Sequence, residues 1–223
     1  IGFRSLFGDD NKLKNCSLDG NNIGAQISGK SSSRSKRDIL DNNSAINCEM
    51  GFYLKHIKNT EILGNNISKC SEYGIYTYNL FQADIHNNSF HDIGYPGFGE
   101  GKNGLYLEKC YGADVQNNTF SRSGIFLPSE EGISDLKSNI FKNNSVNGGE
   151  FVYLCDKTPS IPYKVNSTAR QVYLIDCKRI IVEDLNLSDT DMGFFAKGSQ
   201  QLIIRNCTIS NSYRGLNWMV RDP

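Results

Sequence analysis

The chain carries no net charge, because 24 Lys and Arg residues balance 24 Asp and Glu among its 223 residues. Without the basic face that a phosphate backbone selects, no nucleic-acid partner is expected. No apolar run approaches the length of a membrane span, and the first residues do not read as a signal peptide. Only three histidines occur, His56, His86 and His91, and their scatter suits surface positions rather than a copper or zinc cage. Seven cysteines cannot all pair within one chain, and there is no Cys-x-x-Cys, so a zinc site has no support. Helical periodicity is also missing. No metal, no cofactor and no catalytic motif is expected.

What the sequence has instead is a repeat. In Ala83-Asp84-Ile85-His86-Asn87-Asn88-Ser89-Phe90 an apolar residue is followed by one free position, then Asn or a stand-in, and three residues later by another apolar residue. The frame returns as Leu13/Asn15/Leu18, Leu40/Asn42/Ala45, Ile62/Gly64/Ile67, Val115/Asn117/Phe120, Leu136/Ser138/Phe141, Val182/Asp184/Leu187 and Ile204/Asn206/Ile209. Successive third positions lie 27, 22, 23, 30, 21, 46 and 22 residues apart, and 46 is two periods of 23. A fixed period of this size marks a solenoid in which each repeat stacks on the next.

A second motif, Gly-apolar-aromatic-apolar, runs in step with the first: Gly51-Phe52-Tyr53-Leu54, Gly74-Ile75-Tyr76-Thr77, Gly104-Leu105-Tyr106-Leu107, Gly124-Ile125-Phe126-Leu127 and Gly193-Phe194-Phe195-Ala196. Phe151-Val152-Tyr153-Leu154 and Val172-Tyr173-Leu174 are weaker copies. Alternation with period two, rich in Ile, Tyr and Phe, is strand-like, and the leading glycine suits a positive φ or a close backbone approach. Three stretches interrupt the period: the polar Ser28–Arg37, the Gly-rich Ile93–Gly101 and the loop Thr158–Pro162. The expected fold is all-β, a single-stranded right-handed parallel β-helix of about nine coils of roughly 22 residues, three strands per coil. One such domain spans 1–223, as a fragment or repeat region of a larger extracytoplasmic protein. Corner residues Asn15, Asn42, Asn87, Asn117 and Asn206 are expected to point inward and hydrogen-bond along the rod.

The Asn-Asn-Thr-Phe, Asn-Asn-Ser-Phe and Gly-Ile-Tyr repeats resemble the right-handed β-helix repeats of NosD-type and carbohydrate-binding/sugar-hydrolase (CASH) proteins. The resemblance implies this fold and an extracellular or cell-surface, polysaccharide-related setting. It implies no one activity, since such repeats serve lyases, epimerases and binding modules alike.

Nine Asn-x-Ser/Thr triplets begin at Asn15, Asn42, Asn66, Asn87, Asn117, Asn143, Asn166, Asn186 and Asn206, where composition would give about three or four. With the corner Asn inward, only Asn143 and Asn166 would serve as glycan acceptors. The cysteines fall at repeat positions and read as buried thiols, with a Cys48–Cys70 bridge left open. Charges on the irregular stretches, Lys157, Lys164, Arg170, Glu130, Glu131, His91 and Glu100, match no catalytic pattern and read as solvated. The aromatic column is the most unusual feature. If the flanking aliphatics face inward, Tyr53, Tyr76, Tyr106, Phe126, Tyr153, Tyr173 and Phe195 face outward. Seven stacked rings would form a ridge for sugar rings or a protein partner, a second copy included. The expected role is a surface or assembly module binding polysaccharide or protein, with a polysaccharide lyase or epimerase using the same face as the alternative.

Overall fold

The structure is a computed structural model that describes residues 1–94 and 103–219. It is a right-handed parallel β-solenoid of about 9 turns with about 23 residues per turn. Strands Met50–Leu63, Tyr73–His86 and Asn103–Glu108 pair in parallel, in register with the repeat: Tyr53 lies beside Tyr76, and Tyr76 beside Tyr106. Within the coil, Phe52, Ile75, Leu105 and Ile125 are fully buried. The glycines before them permit close approach rather than a positive φ. A Cβ on Gly51 would come within 2.5 Å of the Gly74 carbonyl oxygen.

The regular turns bend at four left-handed corners, not the three expected. One coil has them at Asn79, Gln82, Asn87 and Asp92, the next at Lys109, Gly112, Asn117 and Arg122, and a later one at Asp176, Arg179, Asp184 and Asp189. Asn15, Asn42, Gly64, Asn87, Asn117, Asp184 and Asn206 all take this conformation, with φ from 52° to 62°. Ser138 does not. It ends a short helix, α1 (Ile133–Ser138), and that coil's corner falls at Asn143 instead.

Asn15, Asn42, Asn87, Asn117 and Asn206 are exposed, so the inward positions expected for them need correcting. A left-handed corner turns its own side chain outward, and the following residue resumes the alternation facing inward. Buried amides therefore occur one position later, at Asn43, Asn65, Asn88, Asn118 and Asn144. Asn65 Nδ2 donates to Asn88 Oδ1 at 2.9 Å, Asn88 Nδ2 to Asn118 Oδ1 at 3.0 Å, and Asn118 Nδ2 to Asn144 Oδ1 at 3.0 Å. The same oxygens accept backbone N–H bonds from the preceding coil, as Asn88 Oδ1 does from Asn65 at 2.9 Å. One consequence is that all nine Asn-x-Ser/Thr asparagines are exposed, so burial does not single out Asn143 and Asn166.

The solenoid reverses once. Ser145–Val146 and Gly149–Cys155 pair antiparallel through Asn147 and Gly148, whose φ values of 49° and 76° suit a type I′ hairpin. Beyond this turn, Gly149–Cys155, Ala169–Ile175, Met192–Lys197 and Arg214–Met219 pair in parallel with one another. They extend one nine-stranded sheet shared with the first half. Reversed strands that keep a right-handed path must close their coil on the opposite face of that sheet. Accordingly, Val172, Leu174, Phe194 and Ala196 fill the second interior. Their neighbours Tyr173, Ile175 and Phe195 instead join the core of the first half.

All seven cysteines are free; Cys48, Cys70, Cys110 and Cys177 are buried and Cys16, Cys155 and Cys207 are half-buried. None of the helices is long and apolar enough to cross a membrane among the described residues.

Candidate functional site

The seven aromatic positions form two separate groups. Tyr53, Tyr76, Tyr106 and Phe126 stack in sequence, with centroids 5.4, 5.1 and 5.1 Å apart and planes inclined by 8°, 21° and 20°. The first three are half-buried, while Phe126 is 4% exposed with the Arg214 guanidinium 5.6 Å from its centroid. Rings stacked along the rod cover one another's faces and present edges and hydroxyls outward, so they offer no flat platform for a sugar ring. Burial and then Glu108, whose Oε2 accepts the Tyr76 hydroxyl at 2.8 Å, push the Tyr76 phenol well above its ordinary pKa. Burial and Glu108 do the same for Tyr106. Both phenols are therefore neutral hydrogen-bonding groups.

The second group lies beyond the reversal. Tyr173 and Phe195 are fully buried, and half-buried Tyr153 donates its hydroxyl to the Leu136 carbonyl at 2.7 Å. Phe126, Tyr173 and Phe195 face out of their coils as expected but are buried there, so the exposure expected of them is corrected. The face carrying Tyr153, Tyr173 and Phe195 is outside its own coil but prolongs the interior of the first half. Segment 124–142 is clamped against it: Phe141 meets Tyr153 with centroids 4.5 Å apart, and Lys137 Nζ reaches Asp176 at 2.7 Å. Lys197 donates to the Ser129 carbonyl at 2.6 Å and also to that of Glu131.

Next to the half-buried tyrosines, the same strands build a cationic corner. Lys55, Tyr78 and Glu108 are cross-strand neighbours, and His56, Asn79 and Lys109 occupy the corner that follows. Lys109 Nζ donates to the Tyr78 hydroxyl at 2.9 Å and lies 4.8 Å from the ring centroid; Lys55 Nζ is 5.3 Å from the same ring. Arg34 and Lys58 sit 5.5 and 5.3 Å from the Phe81 centroid. Arg34 comes from the polar Ser28–Arg37 insertion, whose Ser35–Lys36 pairs with Ile57–Lys58 and so lies along the coil. Its Nη2 donates to Asn79 Oδ1 at 2.9 Å, and Asn79 Nδ2 donates to His56 Nδ1 at 2.8 Å, placing the imidazole proton on Nε2. Burial, followed by Lys55, Arg34 and Lys109, holds His56 below its usual pKa, so it is neutral at pH 7. The Tyr78 hydroxyl bond raises Lys109 above its own. Among the described residues, Arg34, Lys55, Lys58 and Lys109 have no carboxylate partner within ion-pair distance.

The charges singled out on the loops do not converge. Lys164 pairs with Glu183 at 2.7 Å, Lys157 lies over Tyr163, and Arg170 donates to the Ala169 carbonyl. Glu131 is buried, accepts the Lys109 backbone N–H at 2.5 Å, and has its pKa raised chiefly by burial. Glu130 and His91 are exposed, and Glu100 lies outside the described residues. On another face, the solenoid brings together Asp84, His86 and Asp114, with donor atoms all within 4.8 Å of one another. No metal cluster was expected from the scattered histidines. The available signal was positional: Asp84 and Asp114 each stand three residues before their corner asparagines, so stacking makes them neighbours.

These features define a parallel β-solenoid with a polar, aromatic-lined outer surface. The family model for the right handed beta helix region matches residues 2–120 and 99–219, and the chain belongs to that family. No curated protein matches it. Among solved structures, an alginate lyase from Paenibacillus sp. strain FPU-7 aligns at 14% identity, over 97% of this chain and 92% of that one, with a TM-score of 0.26. That overlap is too low to bear on function.

Proposed function

We propose that the protein binds an acidic polysaccharide of the uronate type along its cationic corner, outside the cytoplasm, without transforming it. The observation that carries this reading is the group Arg34, Lys55, Lys58 and Lys109, four cations spread over four successive coils, none ion-paired among the described residues, with only Glu108 and Glu131 acting on Lys109 from nearby. Like charges so placed repel, and a carboxylate on each successive sugar would relieve that repulsion. The tyrosine edges at Tyr53, Tyr76 and Tyr106 add neutral hydrogen-bonding groups for sugar hydroxyls. Because strands and stacked rings hold these groups in place, little side-chain ordering opposes binding.

The test is calorimetric titration with polygalacturonate and with neutral dextran. Binding of the first alone, weakening as salt is raised, is expected. Equal binding of both, or of neither, contradicts the proposal. A preference for an acidic protein segment over the polyuronate would point to a protein partner instead. A second reading, elimination on the same polymer, is favoured by the 2.9 Å Lys109–Tyr78 contact, which sets a cation for the uronate carboxylate beside a phenol placed for proton transfer. Ultraviolet-absorbing unsaturated ends appearing during incubation would establish it, and their absence supports binding alone.

A further inference from the structure

We infer that Asp84, His86 and Asp114 form a site for a divalent transition-metal cation of the Zn²⁺ class, on a face distinct from the cationic corner. Asp84 and His86 alternate on the strand Tyr73–His86, so both point out of the coil. Asp114 stands directly opposite Asp84 on the next coil, and Glu61 opposite Asp84 on the preceding one. Three carboxylates thus succeed one another at the strand spacing of about 4.8 Å. Like charges directly opposite in a sheet destabilise it, and a bound cation reverses the sign of that interaction.

A second, independent observation concerns the imidazole. His86 Nε2 is shielded from solvent and has no hydrogen-bond partner, and it faces Asp114 Oδ1 at 3.8 Å, beyond hydrogen-bond reach. A nitrogen desolvated without a partner is costly, whereas a cation between it and the two carboxylates would satisfy it. Asp114 is already oriented: Gln116 Nε2 donates to its two oxygens at 2.6 and 2.8 Å, the kind of outer support that fixes a ligating carboxylate. One nitrogen and two oxygens suit a borderline ion such as Zn²⁺ or Co²⁺ better than Ca²⁺, which takes oxygen alone. Three protein donors leave positions for water or a ligand atom, as in an open rather than a closed structural site.

The experiment uses the full chain after chelator treatment, titrated with Co²⁺ by visible spectroscopy and with Zn²⁺ and Ca²⁺ by calorimetry. Expected are protein-dependent Co²⁺ ligand-field bands, Zn²⁺ bound more tightly than Ca²⁺, and an affinity loss of about tenfold or more in His86→Ala and in Asp114→Asn. Asp10→Asn, at an exposed Arg37 partner remote from the site, should leave metal affinity unchanged. His86→Gln serves if His86→Ala fails to fold by circular dichroism. No protein-dependent bands, calcium preferred to zinc, or full zinc affinity in both His86 variants would each overturn the inference. None of these outcomes depends on polysaccharide binding, which involves other residues.

Discussion

The hydroxyl of Tyr173 donates to the carbonyl of Ile125 at 2.8 Å, joining positions 48 residues apart. The bond spans the junction between the two halves of the solenoid, and it explains why an aromatic at an outward repeat position is buried. The same carbonyl also accepts Gln171 Nε2 at 2.6 Å. Tyr173→Phe should therefore cost only about 0.5–1.5 kcal/mol, while Tyr173→Ala, which opens a cavity at the junction, should cost about 3–5 kcal/mol. Denaturant unfolding measures both. Equal, negligible losses would mean that the two halves do not pack through this residue.

The amide column makes a sharper contrast between adjacent residues. Asn88→Ala removes donors to the Ile62 carbonyl and to Asn118, and an acceptor for Asn65, at about 1–3 kcal/mol for each group left unsatisfied. Asn87, one residue earlier, is an exposed left-handed corner, where Gly should be within a few tenths of a kcal/mol of Asn. The two unfolding midpoints are to be compared; a larger loss in Asn87→Gly than in Asn88→Ala would contradict the placement of the column.

Replacing Asn147-Gly148 by Ala-Ala should impair the second half selectively. Both positions need positive φ, at about 1–2 kcal/mol per ordinary residue. Hydrogen exchange should show protection lost first in strands Gly149–Cys155 and Ala169–Ile175. Uniform loss along the rod would indicate that the hairpin does not define a junction.

Much of this architecture was legible because stacking enforces a period. Seven of the eight expected corner residues are left-handed, and the aliphatics flanking the aromatics in the regular coils face inward. The one-residue error in the amide column arose because Asn-Asn pairs supply both an exposed corner and a buried rung, and spacing cannot tell which Asn does which. The hairpin had a local signal, Asn147-Gly148, but Phe151-Val152-Tyr153-Leu154 repeats the outline of a coil whichever way the chain runs. That reversal hid the burial of Tyr173 and Phe195. The cationic corner was harder still, since Arg34 arrives from an insertion and His56, Asn79 and Lys109 share only a repeat position.

His56 gives the site a pH dependence of definite sign. Its pKa lies below 6.5 in the folded protein, so the unfolded chain takes up the proton first. The stability from this group is complete above pH 6.5 and is lost as pH falls through the folded value. Binding runs the other way: a bound carboxylate favours the imidazolium, and uronate carboxylates stay ionised to about pH 4. Affinity for polygalacturonate should therefore rise as pH falls below 6.5, and His56→Gln should abolish the rise. Calorimetry at stepped pH measures it, and an identical increase in the variant would exclude His56 from the site.

The most direct measurement is the affinity of a defined oligogalacturonate for the wild type and for Lys55→Gln/Lys109→Gln. These two lysines flank Tyr78 and make no ion pair among the described residues, so the fold should keep its unfolding midpoint. If the corner binds the acidic polymer, the double variant should lose about fivefold to thirtyfold in affinity, or about 1–2 kcal/mol for two partly exposed charge contacts. Its salt dependence should become shallower as well. Unchanged affinity and salt dependence in a correctly folded double variant would contradict the account.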